Sequence, residues 1–342
     1  MSINLLVFDY RDTEKAFFAN NSFPNFHIKF FSESLNEQTV KNLSQEDLDS
    51  AMVISVFIDS ELTGEVIDSF RNLRIISTRS TGIDHINTYA AKKRNINVIN
   101  VMNYGSTSVA QYTFGLILAL VRNIVYAANC TKQYNEKSIS FMGRDISQLK
   151  IGVIGTGAIG GAVCKLAKAF GMKIYAYDLN EKQELKDTCD VEYVALDNLL
   201  QNSDIITLHL PYTGKNKNMI SFRQFELMHK NSYIINTSRG EMIDTKALKY
   251  ALDNNLIKGA ALDVLTCENY NVKCGEFVKN MDDIPVECHE EVLITQEIIK
   301  YPNVIITPHI AYDTQESIDY ILQRTFEGIT DTIKGGTEYC AI

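Results

Sequence analysis

The sequence predicts an α/β protein that is built from two doubly wound, parallel-sheet domains. Short runs rich in Val and Ile alternate with helical stretches along all 342 residues, and each run is followed by Gly, Asn, Asp or Ser. Such continuous apolar runs are typical of strands that are buried on both faces of a parallel sheet. The chain is also long enough for two ordinary domains, each with its own core, and it contains two α/β units of similar style.

Ten segments are predicted to be strands: NLLVFDY, AMVISVF, LRIISTRS, INVINV, KIGVIGTG, KIYAYD, DIITLHL, SYIINTS, KGAALDV and NVIITPH. Between the fourth and fifth, residues 108–130 predict one long apolar helix that is buried between the domains, with Ser108 as its N-cap. A last amphipathic helix follows residue 312 and is expected to return to the first domain. We therefore predict a discontinuous domain of residues 1–103 plus 310–342, a second domain of residues 104–309, and a cleft between them.

Composition excludes several classes of partner. The formal charge is −9 with no basic stripe, which argues against nucleic acid and anionic membranes. No window approaches the roughly 20 apolar residues that span a bilayer. The seven cysteines are scattered and form no C-x-x-C, so neither a disulfide framework nor a zinc site is expected. These features predict a soluble protein of the reducing cytoplasm that binds a small molecule.

A glycine motif predicts a dinucleotide site. Gly155, Gly157 and Gly160 form G-x-G-x-x-G between a predicted strand and a predicted helix, and a second strand ends at Asp178. The glycines allow a tight turn, a close approach of the pyrophosphate to backbone N–H groups, and close helix packing. Asp178 would accept hydrogen bonds from the adenosine ribose and repel a 2′-phosphate, which favours NAD over NADP. The intervening residues are included in the predicted site: Thr156, Ala158 and Ile159. The alternative is a glycine turn without a ligand.

Three residues at predicted strand ends have complementary chemistry. Arg239 can hold the carboxylate of a 2-oxo acid through two parallel hydrogen bonds. His309 can give a proton to a carbonyl oxygen and take it back. Glu268 can orient the imidazole and stabilise its charged form. Each residue alone has an ordinary alternative: a helix cap or phosphate contact for Arg239, a solvated loop for Glu268, and a structural strand-end histidine for His309.

Taken together, these motifs resemble the NAD-dependent D-isomer-specific 2-hydroxyacid dehydrogenases, from LRIISTRSTGIDHIN through NVIITPHIAYDT. The resemblance implies that the backbone amides of Thr81 and Gly82 bind the substrate carboxylate. It implies that Arg239, Glu268 and His309 are catalytic, and that family members form dimers through their cofactor domains. It also adds residues to the predicted cofactor site: His209, Leu210, Pro211, Thr237, Ser238 and Asp263.

Within this family the segments ISTRSTGIDHINTYAAKKRNINV and ALDVLTCE are most similar to D-lactate dehydrogenases, including the vancomycin-resistance type. That branch implies an aromatic pocket made by Tyr104, Tyr312 and Phe57, which favours pyruvate. Larger 2-oxo acids (2-oxoisocaproate, phenylpyruvate), hydroxypyruvate and glyoxylate stay open as substrates. A NAD-responsive, corepressor-like binding protein is the alternative of another class.

Some segments depart from the family pattern. YGSTSVAQ lacks the usual proline and acid before the interdomain helix, and Thr266 replaces a usual glutamate. Residues 269–302 are predicted to be a surface excursion. We expect Cys274, Cys288 and His289 in this segment to be unpaired and not to bind a metal, because their spacing is irregular.

Overall fold

The computed structural model describes residues 2–102, 104–132, 140–271 and 281–342, and the chain divides into two compact units. Unit 1 comprises Met1–Tyr104 and Asp313–Ile342, and unit 2 comprises Gly105–Tyr312. The boundary predicted after residue 309 lies three residues earlier than the observed one. Residues 310 and 311 stay with unit 2 because the N–H groups of Ile310 and Ala311 donate to the carboxylate of Asp263.

The strands within the described residues are β1 (Ile3–Val7), β2 (Phe26–Phe30), β3 (Val53–Val56), β4 (Ile75–Thr78), β5 (Asn97–Ile99), β6 (Lys150–Ile154), β7 (Lys173–Tyr177), β8 (Glu192–Tyr193), β9 (Ile205–Leu208), β10 (Tyr233–Asn236), β11 (Gly259–Leu262) and β12 (Val304–Ile306). All ten predicted strands are present. The two that were not predicted, β2 and β8, are edge strands. Both are mostly exposed and lack a continuous apolar run, unlike the other two edge strands, β5 and β12.

The helices in the same residues are α1 (Lys15–Asn20), α2 (Gln45–Ser50), α3 (Gly64–Ser69), α4 (Thr88–Lys93), α5 (Ser106–Val121), α6 (Ile124–Lys132), α7 (Ala158–Ala169), α8 (Gln183–Cys189), α9 (Leu196–Asn202), α10 (Phe222–Leu227), α11 (Thr245–Asp253), α12 (Val286–Ile298) and α13 (Gln315–Ile333). Several start at a side chain that accepts a hydrogen bond from the first turn: Ser44, Thr63, Asn87, Asp244 and Thr314.

In unit 1, five parallel strands form one sheet in the order β2-β1-β3-β4-β5. Strands β3 and β4 are buried along their whole length. Helix α13 belongs to this unit and packs Phe326 and Ile329 against Leu5 and Ile75. The last helix of the chain is therefore part of the first sheet's core.

In unit 2, seven parallel strands form a sheet in the order β12-β11-β10-β9-β6-β7-β8. The chain runs outward from β6 to β8 and then returns to β9 on the other side of β6. In doubly wound sheets, ligands bind beyond the carboxyl ends of the strands at such a reversal. The two parallel sheets confirm the predicted fold class.

The single helix predicted over residues 108–130 is wrong. The chain forms α5 and α6, which are bent by 62° relative to each other. Asn123 lies between them with a φ of 54°, a left-handed conformation that asparagine tolerates better than most residues. Helix α5 begins at Ser106 after Gly105, so Ser108 lies inside the first turn and is not the N-cap.

Within the described part of the chain, no single helix is long and apolar enough to cross a membrane; α5 and α6 meet that length and composition only as a bent pair. Helix α5 packs against α7 in unit 2 and buries Ala110, Phe114 and Ile117 beside Val163 and Ala167.

The predicted surface excursion contains a helix that was not predicted. Residues 286–298 form α12, which buries Val292 and Ile298. Two ion pairs join α12 to α11, Lys246 with Glu290 at 2.7 Å and Lys249 with Glu297 at 3.3 Å.

The cysteines of this region differ from expectation. Cys288 forms a disulfide with Cys267, which contradicts the prediction that Cys288 is unpaired. The two residues are 21 positions apart, and only the packing of α12 beside the 266–271 turn brings them together. His289 Nε2 lies 2.8 Å from the carbonyl oxygen of Ile284. Cys274 lies outside the described residues.

Candidate active site

Most of the predicted site residues of unit 2 lie at one edge of its sheet. The glycine motif follows β6, Asp178 follows β7, and His209 follows β9. Arg239, Glu268 and His309 follow β10, β11 and β12, which are adjacent in the sheet. Because all these strands are parallel, their carboxyl ends meet at the same edge.

The glycine turn leaves room for a ligand at one position and none at another. Gly155 has a φ of 92°, which disfavours any other residue. A Cβ on Gly160 would lie 1.9 Å from the carbonyl oxygen of Gly155, so this glycine is required by the protein's own packing. A Cβ on Gly157 would have no described atom within 4 Å. The open space beside Gly157, at the N-terminus of α7, fits a pyrophosphate group.

Asp178 is oriented by the same turn. Its Oδ2 accepts hydrogen bonds from the backbone N–H of Thr156 at 2.6 Å and from the Thr156 hydroxyl at 2.9 Å, and its Oδ1 accepts one from Asn180 N–H. Partial burial raises the pKa of Asp178, but the hydrogen bonds from Asn180 and Thr156 outweigh it and hold the pKa below its usual value. Asp178 is therefore an anion with free acceptor capacity. Thr156 is fully buried, so its side chain supports Asp178.

His209 is buried against the glycine turn. Its Nε2 lies 2.9 Å from the Thr207 hydroxyl, and Nδ1 has no hydrogen-bond partner among the described residues. Burial lowers the pKa of His209 to about 3, so the ring is neutral near pH 7. The next residue, Leu210, accepts a hydrogen bond from the Ser238 hydroxyl, and the Pro211 carbonyl accepts one from Asn216. The Ser238 contact joins the predicted cofactor segment to the loop after β10, and the Asn216 contact lies within the loop after β9.

His309 and Glu268 lie together. The Nδ1 atom of His309 is 3.0 Å from Oε1 of Glu268, and both side chains are partly buried. The distance fits an ion pair, but the direction is wrong for a hydrogen bond, and Nδ1 has no aligned acceptor among the described residues. Catalytic hydrogen bonds are often poorly aligned before substrate binds. Glu268 is thus placed to stabilise a protonated His309.

Asp263 positions His309, a role that the sequence did not reveal. Its carboxylate accepts hydrogen bonds from the Thr307 hydroxyl at 2.5 Å, Ala311 N–H at 2.8 Å and Ile310 N–H at 3.1 Å. His309 N–H donates to the Asp263 carbonyl at 2.8 Å. His309 has a φ of 54°, a conformation that persists in a non-glycine residue only when its surroundings hold it. The position of Asp263 directly after β11, the neighbour of β12, could have indicated that it supports His309.

Arg239 begins a turn that packs directly on the Glu268 segment. Its Nη1 donates to the Ser238 carbonyl, and its own carbonyl accepts from the Asn236 side chain. A Cβ on the next residue, Gly240, would lie 2.0 Å from the carbonyl carbon of Leu265. The backbones that carry Arg239 and Glu268 are therefore in contact, and glycine is required between them. Behind this turn, the hydroxyl of Thr237 lies 3.0 Å from that of Thr113 in α5.

The predicted carboxylate-binding loop lies in unit 1, after β4. Thr81 donates its hydroxyl to the Val101 carbonyl at 2.9 Å, and the Thr81 carbonyl accepts from the Asn100 side chain. The Gly82 carbonyl accepts from the Ser80 hydroxyl. No described residue accepts the backbone N–H groups of Thr81 and Gly82. Two unsatisfied N–H groups on neighbouring residues suit an anion such as a carboxylate.

Phe57 is part of a buried charged cluster that the sequence did not indicate. Arg79 is 1% exposed, lies 3.4 Å from Glu14, and places its guanidinium 5.8 Å from the centre of the Phe57 ring. Arg11 covers the same ring at 5.1 Å. The Phe57 N–H donates to Asp9 at 2.8 Å. In the sequence, only Arg79 near the end of the run IISTRS could have indicated this cluster. Phe57 is thereby held in one position.

The other two predicted aromatic residues belong to different units. Tyr104 is the last residue of the first segment of unit 1, and Tyr312 is the last residue of unit 2. Tyr312 is buried, and its ring lies edge-on to the ring of His309 at 6.2 Å.

Comparisons with known proteins agree with this arrangement. The sequence profile of the D-isomer specific 2-hydroxyacid dehydrogenase NAD-binding domain matches residues 114–311. A D-specific alpha-keto acid dehydrogenase of Enterococcus faecium is 37% identical over 298 residues, 85% of this chain and 87% of that protein. An aromatic 2-oxoacid reductase of Clostridium sporogenes is 34% identical over 291 residues, 83% of each chain.

Among solved structures, D-lactate dehydrogenase from Aquifex aeolicus, in complex with NAD and lactic acid, matches with a TM-score of 0.82 at 33% identity. The match covers 98% of this chain and 97% of that one. These findings confirm the predicted family and the predicted cofactor, NAD. The chain therefore belongs to the NAD-dependent, D-isomer-specific 2-hydroxyacid dehydrogenases, oxidoreductases that act on the CH–OH group of small 2-hydroxy acids.

Proposed function

We propose that this enzyme reduces pyruvate to D-lactate with NADH. The observation that carries the substrate assignment is the position of Tyr312, which is buried and edge-on to His309. A large ring beside the proton donor leaves space for a methyl group more readily than for an aromatic side chain. The similarity to a D-lactate dehydrogenase in complex with NAD and lactic acid supports the same assignment.

In the proposed reaction, the residues of unit 2 have separate tasks. Bound NADH supplies the hydride that is added to carbon 2. His309 gives its proton to the carbonyl oxygen, and Glu268 stabilises the protonated imidazole before transfer. Arg239 holds the substrate carboxylate and polarises the adjacent carbonyl. For Thr81 and Gly82 of unit 1, the family resemblance is the basis for proposing that their N–H groups bind a substrate carboxylate.

A panel of 2-oxo acids tests the proposal. Steady-state NADH oxidation is measured with pyruvate, 2-oxoisocaproate, phenylpyruvate, hydroxypyruvate and glyoxylate, and the stereochemistry of the product is determined. We expect the highest kcat/KM with pyruvate and a D-product. L-lactate as product, or no turnover with pyruvate, would contradict the proposal.

A second candidate is the same reaction on an aromatic 2-oxo acid, which the similarity to an aromatic 2-oxoacid reductase favours. A higher kcat/KM with phenylpyruvate than with pyruvate would establish it. Tight NADH binding without turnover of any acid in the panel would instead favour a NAD-responsive binding protein.

We also propose that the enzyme is a homodimer, as its family resemblance implies. Light scattering coupled to gel filtration measures the molar mass in solution. A mass near 77 kDa, twice the 38.6 kDa of one chain, is expected, and a mass of one chain at micromolar concentration would contradict it.

A further inference from the structure

A disulfide joins the catalytic turn to a surface helix. Cys267 directly precedes Glu268, and it is bonded to Cys288 in α12 with a Cα–Cα distance of 5.8 Å. The other described cysteines are free thiols: Cys130, Cys164, Cys189 and Cys340. The covalent link therefore lies one residue from the acid that pairs with His309.

The turn that carries Glu268 is compact. Tyr270 N–H donates to the Cys267 carbonyl at 3.0 Å, and Asn271 N–H donates to the Glu268 carbonyl at 3.1 Å. The Asn271 side chain closes the turn by donating to the Thr266 carbonyl. Cys267 has a φ of 54°, a left-handed conformation that is unfavourable for cysteine and needs support from its surroundings. Internal hydrogen bonds therefore close the turn, and contacts with neighbouring segments support the conformation of Cys267.

Helix α12 provides a fixed anchor for that support. Cys288 is 7% exposed and packs with Ile284 and Val292 in a small apolar cluster that includes Tyr270. Ile298 of α12 is buried in one apolar cluster with Leu248 and Ala251 of α11, and two exposed ion pairs also join the helices. The disulfide connects this anchored helix to the turn before Glu268.

The position of Glu268 is sensitive to small movements. Its Oε1 is within 3.0 Å of His309 Nδ1 but out of line for a hydrogen bond. Hydrogen bonds weaken steeply as the angle departs from linearity, so a slight rotation of the turn changes how well the carboxylate supports the imidazole.

We propose that Cys267 and Cys288 form a reversible redox site whose disulfide positions Glu268 beside His309, and that its reduction frees the turn and slows turnover. This inference rests on the proposed catalytic role of Glu268. Cys267 and Cys288 are positioning residues in it, since they act only through Glu268.

The redox partner is a low-molecular-weight thiol and its disulfide. The thiolate of the reductant attacks Sγ of Cys267, which is more exposed than Cys288, and the bond between the two protein sulfurs breaks with Cys288 leaving as a thiolate. A second reductant thiol displaces the first from Cys267. Two electrons and two protons pass to the protein, and the reductant is oxidised to its disulfide. Oxidised glutathione reverses the sequence and is itself reduced to two thiols.

The first part of the test needs no enzymatic activity. The protein is prepared with oxidised glutathione or with dithiothreitol, and peptide mapping without reduction identifies the linkage. We expect a Cys267–Cys288 peptide only in the oxidised sample, and hydrogen exchange at the Tyr270 and Asn271 amides at least about tenfold faster after reduction, as local opening of the turn predicts. A bond from either residue to Cys274, or unchanged exchange at these amides, would overturn the inference.

The second part measures kcat, the KM for pyruvate and the Kd for NADH in both redox states. We expect reduction to lower kcat about tenfold, which is less than the full rate contribution of a general acid. The Kd for NADH should be unchanged, and reoxidation should restore kcat. Cys267→Ser and Cys288→Ala should both have the low kcat of the reduced enzyme, and dithiothreitol should not change it. Cys130→Ser, which alters a free cysteine of α6, should respond as the unmodified enzyme does.

Glu268→Gln separates positioning from general destabilisation. If the disulfide acts through Glu268, this variant has the same low kcat in both redox states; if reduction damages the fold generally, its kcat also falls. Equal kcat values for the oxidised and reduced unmodified enzyme, or a further fall in Glu268→Gln, would refute the inference. Absence of turnover in the oxidised enzyme would instead count against the proposed function, and the exchange data would still decide the redox site.

Discussion

At the scale of single residues, Asp263 shows how the chain stabilises an unfavourable backbone conformation at His309, the proposed proton donor. Burial raises the pKa of Asp263, and the hydrogen bonds from Thr307, Ala311 and Ile310 offset only part of that effect. The carboxylate accepts hydrogen bonds from Thr307 before His309 and from Ala311 after it, and these bonds hold the left-handed turn. Hydrogen bonds to a charged acceptor contribute about 1.5–3 kcal/mol each.

We predict that Asp263→Asn lowers both stability and turnover. An amide keeps one acceptor oxygen but directs an NH2 group at a backbone N–H or at the Thr307 hydroxyl, so at least one buried hydrogen bond is lost. Denaturant unfolding should show a loss of about 3 kcal/mol, and kcat should fall because His309 loses its support. Asp187→Asn, an exposed site in α8, should change stability by less than about 0.5 kcal/mol. Equal effects of the two variants would contradict the assigned role.

We predict that His309→Gln lowers kcat by about two to four orders of magnitude, the usual contribution of a general acid. Glutamine retains polarity but has no proton to transfer at neutral pH. The Kd for NADH, measured by fluorescence titration, should stay within about twofold, since His309 follows β12 and the glycine motif follows β6. His229→Gln serves as the control and should leave kcat unchanged. Undiminished turnover in His309→Gln would end the assignment.

At the scale of elements, the strand–turn–helix unit from β6 to α7 uses its glycines for two different reasons. Gly160 lies where a Cβ would overlap the Gly155 carbonyl oxygen, whereas Gly157 faces open space. Gly160 is therefore required by the protein's own packing, and we propose that Gly157 is required by the ligand. The sequence motif alone does not separate the packing requirement from the ligand requirement, because both positions are glycine.

A pair of alanine variants separates the two. Gly160→Ala should destabilise the protein by about 3 kcal/mol, because overpacking against backbone cannot be relieved by a side-chain rotation. Gly157→Ala should change stability by less than about 0.5 kcal/mol but weaken NADH binding about tenfold or more, since the added methyl group occupies the space beside the helix N-terminus. Unfolding curves and NADH titrations measure both effects. Tight NADH binding by Gly157→Ala would contradict this placement of the pyrophosphate.

At the scale of the whole molecule, burial of His209 links stability to pH. Its pKa is about 3 in the folded protein, because burial disfavours the charged ring, and about 6.5 in an unfolded chain. Below pH 6.5 the unfolded state binds a proton that the folded state does not bind. The contribution of neutral His209 is therefore fully present above about pH 6.5 and is lost as the pH falls toward 3.

We predict that the free energy of unfolding falls with decreasing pH across this window, with His209 contributing up to about 1.4 kcal/mol per pH unit. In His209→Gln that part of the slope should disappear, whatever the absolute stability of the variant. The slope is measured by denaturant unfolding at several pH values from about 4 to about 7, a range that lies mostly within the titration window. His27→Gln, an exposed histidine on β2, should keep the slope of the unmodified protein. The same slope in His209→Gln would show that His209 is not the group responsible.

Much of the fold could be predicted because its strands are buried on both faces. Strands such as β6 and β9 have continuous apolar runs, and the turn residues after them mark their ends. The edge strand β8 has only two residues and no such signal. The break between α5 and α6 was missed because Asn123 lies in an otherwise apolar helical pattern. Its side chain donates to the carbonyl oxygens of Phe141 and Met142, which are distant in sequence.

The candidate site was predictable to a lesser extent. Arg239, Glu268 and His309 were predicted from residue type and from the strands that they follow, and the structure places them after three adjacent strands. The supporting role of Asp263, the cluster around Arg79 and the Cys267–Cys288 bond all join residues that are distant in sequence. Such pairings depend on which elements pack together, and no local pattern reports them.

The sequence by itself determined the fold class, the dinucleotide motif and the candidate reacting side chains, because each depends on local periodicity and on the chemistry of single residues. Only the tertiary structure decided the distance between His309 and Glu268, the neutral state of His209 and the disulfide beside Glu268. These properties depend on burial and on contacts between distant segments, which exist only once the sheet and its helices have packed.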